Sequence, residues 1–136
     1  MSVIVTDEGF SSDNWAGAFV SVGDQPANDV AALDVASDSD PDALTGYLGA
    51  AELIRIDFPS FADGRGFTIA RRLRQLGFQG RLRAKGHVLA DQYAMARRSG
   101  FDEVEIDEDL AARQPADQWR ARADWQSHDY QSRLRG

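Results

Sequence analysis

The sequence predicts a single α/β domain whose sheet is mainly parallel and built from βαβ units. Two observations predict it. From residue 51 onward, short strand-like runs alternate with amphipathic stretches at short spacing, in the order strand, helix, strand, helix, strand, helix. The 136 residues also suit one hydrophobic core, and 43% hydrophobic with 27% charged residues is an ordinary soluble composition. An open sheet is expected, with a half-barrel-like arrangement as its rival, because eight βα units do not fit in this length. Residues 51–130 are the expected core, 1–50 a variable N-terminal part adding strands at one side, and 131–136 a tail.

The elements follow in order. "SVIVTD" (2–7) is short, β-branched and alternating, the pattern of a strand. Residues 8–29 are rich in Gly, Ser, Asp and Asn and read as loops, with "WAGAFV" a short apolar element and Trp15 partly buried. "VAALDVASD" (30–38) reads as a strand, and "PDALTGYLGA" (41–50) as a short helix with Asp40 as its N-cap before Pro41. "AELIRIDF" (51–58) is a strand. Between Phe67 and Leu76, the residues Ile69, Leu73 and Leu76 fall on one helical face and Arg71 and Arg74 on the other, and Gly77 stops the helix. "GRLRAKG" (80–86) is the next strand. "HVLADQYAMARRSG" (87–100) is a second helix that buries Leu89, Tyr93 and Ala96 and stops at Gly100. "FDEVEID" (101–107) is a third strand with Val104 and Ile106 as its apolar members, and a last helix runs from about Pro115 to Tyr130.

Composition bounds the chemistry. The chain has no cysteine, which removes disulfides, thiolate catalysis and cysteine-held metal centres from it. With two histidines, His87 and His128, any metal site would be mostly carboxylate, and none is expected. No apolar run reaches membrane-spanning length, and "MSVIVTDEGF" lacks a basic region and a long apolar one, so a cytoplasmic location without membrane contact is expected. Net charge is −7, unevenly spread: residues 1–64 hold 12 acidic and one basic side chain, and residues 65–98 nine basic and one acidic. Pairing of the two halves, or solvation, is the simpler account; a surface for an anion or an acidic partner is the functional one. Nucleic acid is not expected, because the net charge opposes it and no aromatic-interleaved basic motif is present.

The loop "PSFADGRG" after the strand ending at Phe58 is where a βα unit places chemistry. Asp63 is suited to bond turn amides, Gly64 to take a positive φ, and Gly66 to allow close approach at the helix start. Arg65 is then held near exposed helical N–H groups, a sound anion site. The rival is an ordinary turn with Arg65 paired to Asp57 or Asp63, and residue types alone favour it. The stretch is neither a dinucleotide fingerprint nor a P-loop.

Beyond the next strand, "RAKGH" sets Lys85 and His87 at the same rim if the two strands are neighbours. His87 suits a proton donor or a helix cap, and capping is the better account. Asp91 lies in the first turn of the second helix, where the dipole alone explains a carboxylate; with Gln92 it also suits a ligand contact. Glu105 and Asp107 end the third strand, where solvation is the simpler account. Alternation lets Asp57, Arg65, Lys85 and Asp107 face one crevice. Trp119, Trp125 and Tyr130 stand among arginines near the C-terminus, suited to packing on their own sheet or to docking a partner.

Three stretches, "FPSFADGRGF", "LRAKGHVLADQ" and "RRSGFDEVEI", and the later Tyr130–Gln131 pair make the chain resemble a bacterial family labelled a probable oxidoreductase involved in sulfite reduction. The resemblance covers residues 57–106; residues 1–50 carry no motif that matches. Its motif residues fall here on Phe58, Pro59, Phe61, Asp63, Gly64, Arg65, Gly66, Arg83, Gly86, Val88, Leu89, Asp91, Gln92, Gly100 and Phe101. Related chains often carry an acidic or amide residue where His87 stands and cysteine where Ser99 stands, so a shared thiol mechanism would be lost here. The resemblance implies a setting in assimilatory sulfur metabolism, near sulfite reductase and the other enzymes of sulfate assimilation.

Three functions are therefore expected as alternatives. The first is an accessory protein of sulfite reduction that docks a partner. The second is an oxidoreductase with a borrowed flavin or nicotinamide, since the chain shows no cofactor fingerprint. The third is a binder or transformer of a small anion. The first is favoured, with the third as its molecular means. Asp63, Gly64, Arg65, Gly66, Lys85, Asp91 and Gln92 are the leading candidate ligand contacts, and Asp57, Arg83, His87 and Asp107 the next.

Overall fold

A period of two divides the strand residues into an apolar and a charged set, and the sheet is built on that division. The structure, a computed structural model, describes residues 2–125. Its strands are β1 (Ser2–Thr6), β2 (Gly9–Ser12), β3 (Val20–Ser21), β4 (Ala32–Val35), β5 (Leu53–Phe58), β6 (Arg81–Gly86) and β7 (Glu103–Asp107). They form one seven-stranded sheet in the order β2-β1-β7-β6-β5-β4-β3. The neighbours from β3 to β7 pair parallel, and β1 pairs antiparallel with both β7 and β2, so the sheet is mixed. With helices α1 (Arg65–Gln75), α2 (Tyr93–Ser99), α3 (Glu108–Arg113) and α4 (Ala116–Arg120), this is a single small α/β domain.

The apolar set points to the helices. Ile54, Ile56 and Phe58 of β5, Leu82 and Ala84 of β6, and Val104 and Ile106 of β7 share one cluster with Phe67, Ile69 and Leu73 of α1. Tyr93 and Ala96 of α2 and Trp119 of α4 belong to the same cluster, as do Leu33 and Val35 of β4. Phe58 meets Phe67 and Phe101 edge-on, with ring centroids 5.0 and 5.8 Å apart. Each such buried side chain contributes about 1.5–3 kcal/mol. α1 lies so close to β5 that a Cβ on Gly66 would come 2.5 Å from the Phe58 ring. Arg74, expected on the outer face of α1, instead donates to the carbonyls of Phe78, Gly80 and Gly100. It thereby ties the helix end to the entrances of two strands.

Several expectations are corrected. The N-terminal strands do not sit at one side: β1 and β2 extend the sheet beyond β7, and β3 and β4 extend it beyond β5. Within 8–29, read as loops, Gly9–Ser12 and Val20–Ser21 pair as β2 and β3; the chain between them is loop as expected and crosses the charged face of the sheet to link those two edges. Gly64 has φ −91° and needs no left-handed conformation. The 41–50 segment forms a 3-10 turn, Pro41–Tyr47, with Asp40 capping it by accepting from the Asp42 amide at 3.0 Å. In the 87–100 segment, Leu89 is extended (φ −84°, ψ 151°), so α2 starts late, and Val88 rather than Leu89 is buried. Of the terminal helix expected from about Pro115 to Tyr130, the described residues form α4, preceded by α3, and residues 121–125 are not helical; His128, Tyr130, Gln131 and the 131–136 tail lie outside the described residues.

Gly86 ends β6 at φ +117°, where a Cβ would stand 2.6 Å from the Phe58 carbonyl oxygen. Gly86→Ala is therefore expected to lose at least about 1–2 kcal/mol in chemical denaturation, the cost of left-handed backbone for an L-residue. Gly49→Ala, with open space around its Cβ, is expected to leave the midpoint unchanged.

Candidate functional site

The second set of strand residues builds the face opposite the helices. Register places Asp34, Arg55, Arg83 and Glu103 in one row across β4 to β7, and Asp57, Lys85 and Glu105 in the next row toward the carboxyl ends. Arg83 is fully buried and donates to Glu103 (2.5 Å), Glu105 (2.9 Å) and Asp13 (3.1 Å). Arg55 forks onto Asp34 at 2.6 and 2.8 Å and reaches Glu105 at 3.2 Å. The Phe19 ring lies over the Arg55 guanidinium at 3.6 Å and over that of Arg83 at 5.8 Å.

Protonation follows from these contacts. Burial opposes the Arg83 charge, but hydrogen bonds to Asp13 and Glu103 outweigh it and hold the guanidinium above its ordinary pKa. Burial likewise would raise the Asp13 carboxyl; hydrogen bonds from Arg83 and the Trp15 amide, with the charges of Arg83 and Arg55, hold it below its ordinary value. This row is closed on itself.

The next row is open. A cavity of about 390 Å³ lies over the carboxyl ends of β4 to β6, floored by the Asp34–Arg55 pair and walled by Asp57, Lys85, Ser21 and Ser39. A smaller one of about 170 Å³ is lined by Lys85, His87, Glu105, Asp107, Arg113 and Phe61. Lys85 lines both. Among the described residues, neither the Lys85 nor the Asp57 side chain has a hydrogen-bond or ion-pair partner. A cation and an anion side by side on neighbouring strands, both unpaired and facing one concavity, can hold a ligand's charged groups or exchange a proton with it. No group of three His, Asp or Glu side chains among the described residues is placed to hold a metal ion, and no helix among them is long and apolar enough to cross a membrane.

The other candidate residues are distributed as follows. Asp57 and Lys85 share the larger cavity, and Lys85, His87 and Asp107 the smaller. Arg65 does not join them: it donates to Asp63 (2.7 Å) and to Ser37 (3.0 Å) and lines a third cavity with Ser37, Ser39 and Thr68. Asp63 also accepts from the Arg65 amide, so Gly64 and Gly66 flank a turn closed by its own charges. Asp91 pairs with Arg122 on the surface at 2.7 Å. Gln92 accepts from the Leu89 amide and donates to the Phe61 carbonyl, holding two loops together. Capping by His87 is not realised, because Gln92 and Gln114 accept from the Leu89 and Ala90 amides while His87 stands edge-on to Phe61. Glu105 is no solvated strand end but is 3% exposed between two arginines, and Asp107 caps α3 through the Leu110 amide. Sequence reasoning missed Asp34 and Arg55 as site residues and named Glu105 only as a possible carboxylate at a strand end; charges alternating with apolar residues at period two in "ALDV", "LIRIDF", "RLRAKG" and "EVEID" were the signal.

The family model described as bacterial protein of unknown function, DUF934, matches residues 32–136, which hold β4 to β7 and α1 to α4. The chain belongs to the DUF934 family. No curated protein and no solved structure matches it. The unpaired Lys85 and Asp57 both lie within the DUF934 region, whereas Asp13 and Phe19, which cover the closed row, precede it.

Two outcomes are expected of this arrangement. Arg83→Met leaves three carboxylates facing a site without its cation and should cost about 3–5 kcal/mol in urea denaturation. Arg83→Lys should recover little, since an ammonium cannot fork onto partners at both ends. The hydrogen bond from Arg65 is the main cause that lowers Asp63 from 3.8 to about 2. Its stabilising contact is therefore complete above about pH 4 and lost as pH falls through about 2. An NMR titration of the Asp63 carboxyl carbon should show that midpoint, and Arg65→Ala should return it toward 3.8.

Proposed function

We propose that this DUF934 chain is an accessory protein of assimilatory sulfite reduction, which docks to sulfite reductase or a neighbouring enzyme and holds a small anionic ligand at Lys85. The sulfur setting rests on the motif resemblance. The binding role rests on one observation: Lys85, without a partner among the described residues, lines both carboxyl-end cavities. In this reading β5–α1–β6 and β6–α2–β7 act as successive βαβ units, whose carboxyl ends gather ligands. Arg65 is not the anion's main contact, because Asp63 and Ser37 already occupy its fork.

Calorimetric titration with sulfite and with sulfate tests the binding role. Lys85→Ala is expected to weaken it roughly 10- to 100-fold, the worth of one charge-assisted hydrogen bond, while Arg98→Ala on the exposed face of α2 leaves it unchanged. Binding that survives Lys85→Ala moves the site elsewhere. Co-purification of the native protein with sulfite reductase tests the accessory role, and a deletion strain that reduces sulfite normally without any such association refutes it.

A further inference from the structure

We infer that the ligand of the larger cavity is a small zwitterion, an amino acid whose oxyanion group meets Lys85 and whose ammonium meets Asp57; the inference rests on the anion-binding reading of Lys85.

Three observations carry it. Asp57 and Lys85 are register partners on β5 and β6, so their backbones stand about 4.8 Å apart with side chains on the same face. Yet no nitrogen–oxygen contact of ion-pair length joins them, and each is without another partner among the described residues. A lone oxyanion would satisfy Lys85 and leave Asp57 facing like charge. Second, the floor is the Asp34–Arg55 pair, whose charges already cancel across two short hydrogen bonds, so it favours neither sign. Third, about 390 Å³ is the room of a small organic molecule, whereas a water occupies about 30 Å³ and a bare oxyanion would leave most of the space to solvent. A ligand with opposite charges one or two carbons apart spans the gap between the two side chains and pairs both at once.

Taurine and ethanesulfonate share a sulfonate and differ in the ammonium, so their affinities isolate the contact with Asp57. Calorimetric or NMR titration of the intact chain should show taurine binding roughly tenfold tighter, as expected for one added charged hydrogen bond. The preference should collapse in Asp57→Asn, an exposed position, with the melting temperature checked to confirm folding. Lys85→Gln should weaken both probes. Equal affinities, or a preference that persists in Asp57→Asn, overturn the zwitterion while leaving Lys85 as an anion contact. Binding of neither probe and of neither sulfite nor sulfate overturns the underlying reading and the zwitterion with it.

Discussion

Glu105 stands between two arginines that the sheet register forces together. Arg55 and Arg83 are direct neighbours on β5 and β6, an arrangement that repels unless an anion is shared. Glu105 takes a hydrogen bond from each, Ser2 adds one at 3.1 Å, and the Phe19 ring lies over both cations. Desolvating such charges costs several kcal/mol per ion, and the network offsets that cost because nearly every donor of the two guanidiniums has a carboxylate. The crossing of the sheet by the N-terminal chain depends on this. Asp13 and Asn14 bond Arg83 and Arg81 from above, which carries the chain from β2 at one edge toward β3 at the other.

The same closure determines where a ligand can act. Charges in the Asp34–Arg55–Arg83–Glu103 row are consumed internally, and Glu105 is drawn from the next row into them. Asp57 and Lys85 are left, one residue pair nearer the carboxyl ends and beyond the reach of the arginines. A site arises there through the order in which carboxylates are used up. Its position at the carboxyl ends of neighbouring parallel strands is the one where βα loops can build walls around it.

The sequence made some of this legible. β5, α1, β6 and β7 were readable because five or more residues at a steady period carry a signal, and the Asp40–Pro41 start was readable because one side chain and one ring fix it. A two-residue strand such as β3 has no period, and β2 reads as loop because its Gly and Ser residues do; both owe their place to pairing with neighbours. The charge imbalance between the halves was visible, and pairing proves to be a large part of its meaning: Asp7 with Arg97, Asp13 with Arg83, Asp42 with Arg72. Which carboxylate meets which arginine was not visible, since it depends on strand order. His87 shows the limit of local rules: a cap position was assigned from its neighbours in sequence, but Gln114, distant in the chain, supplies one of the acceptors.

The glycine-flanked arginine keeps a role, though a different one from direct ligand contact. Arg65 bridges Asp63 in its own turn to Ser37, just beyond the end of β4, and so joins the start of α1 to the exit of a neighbouring strand. Ser39, two residues further on, lines both the cavity beside Arg65 and the one that holds Lys85. The segment between β4 and its 3-10 turn is thus a partition, braced from one side by Arg65 and facing the open charge pair on the other. A tight turn alone would have required only small residues at 57–67; the arginine and its aspartate are explained by the need to hold that partition in place.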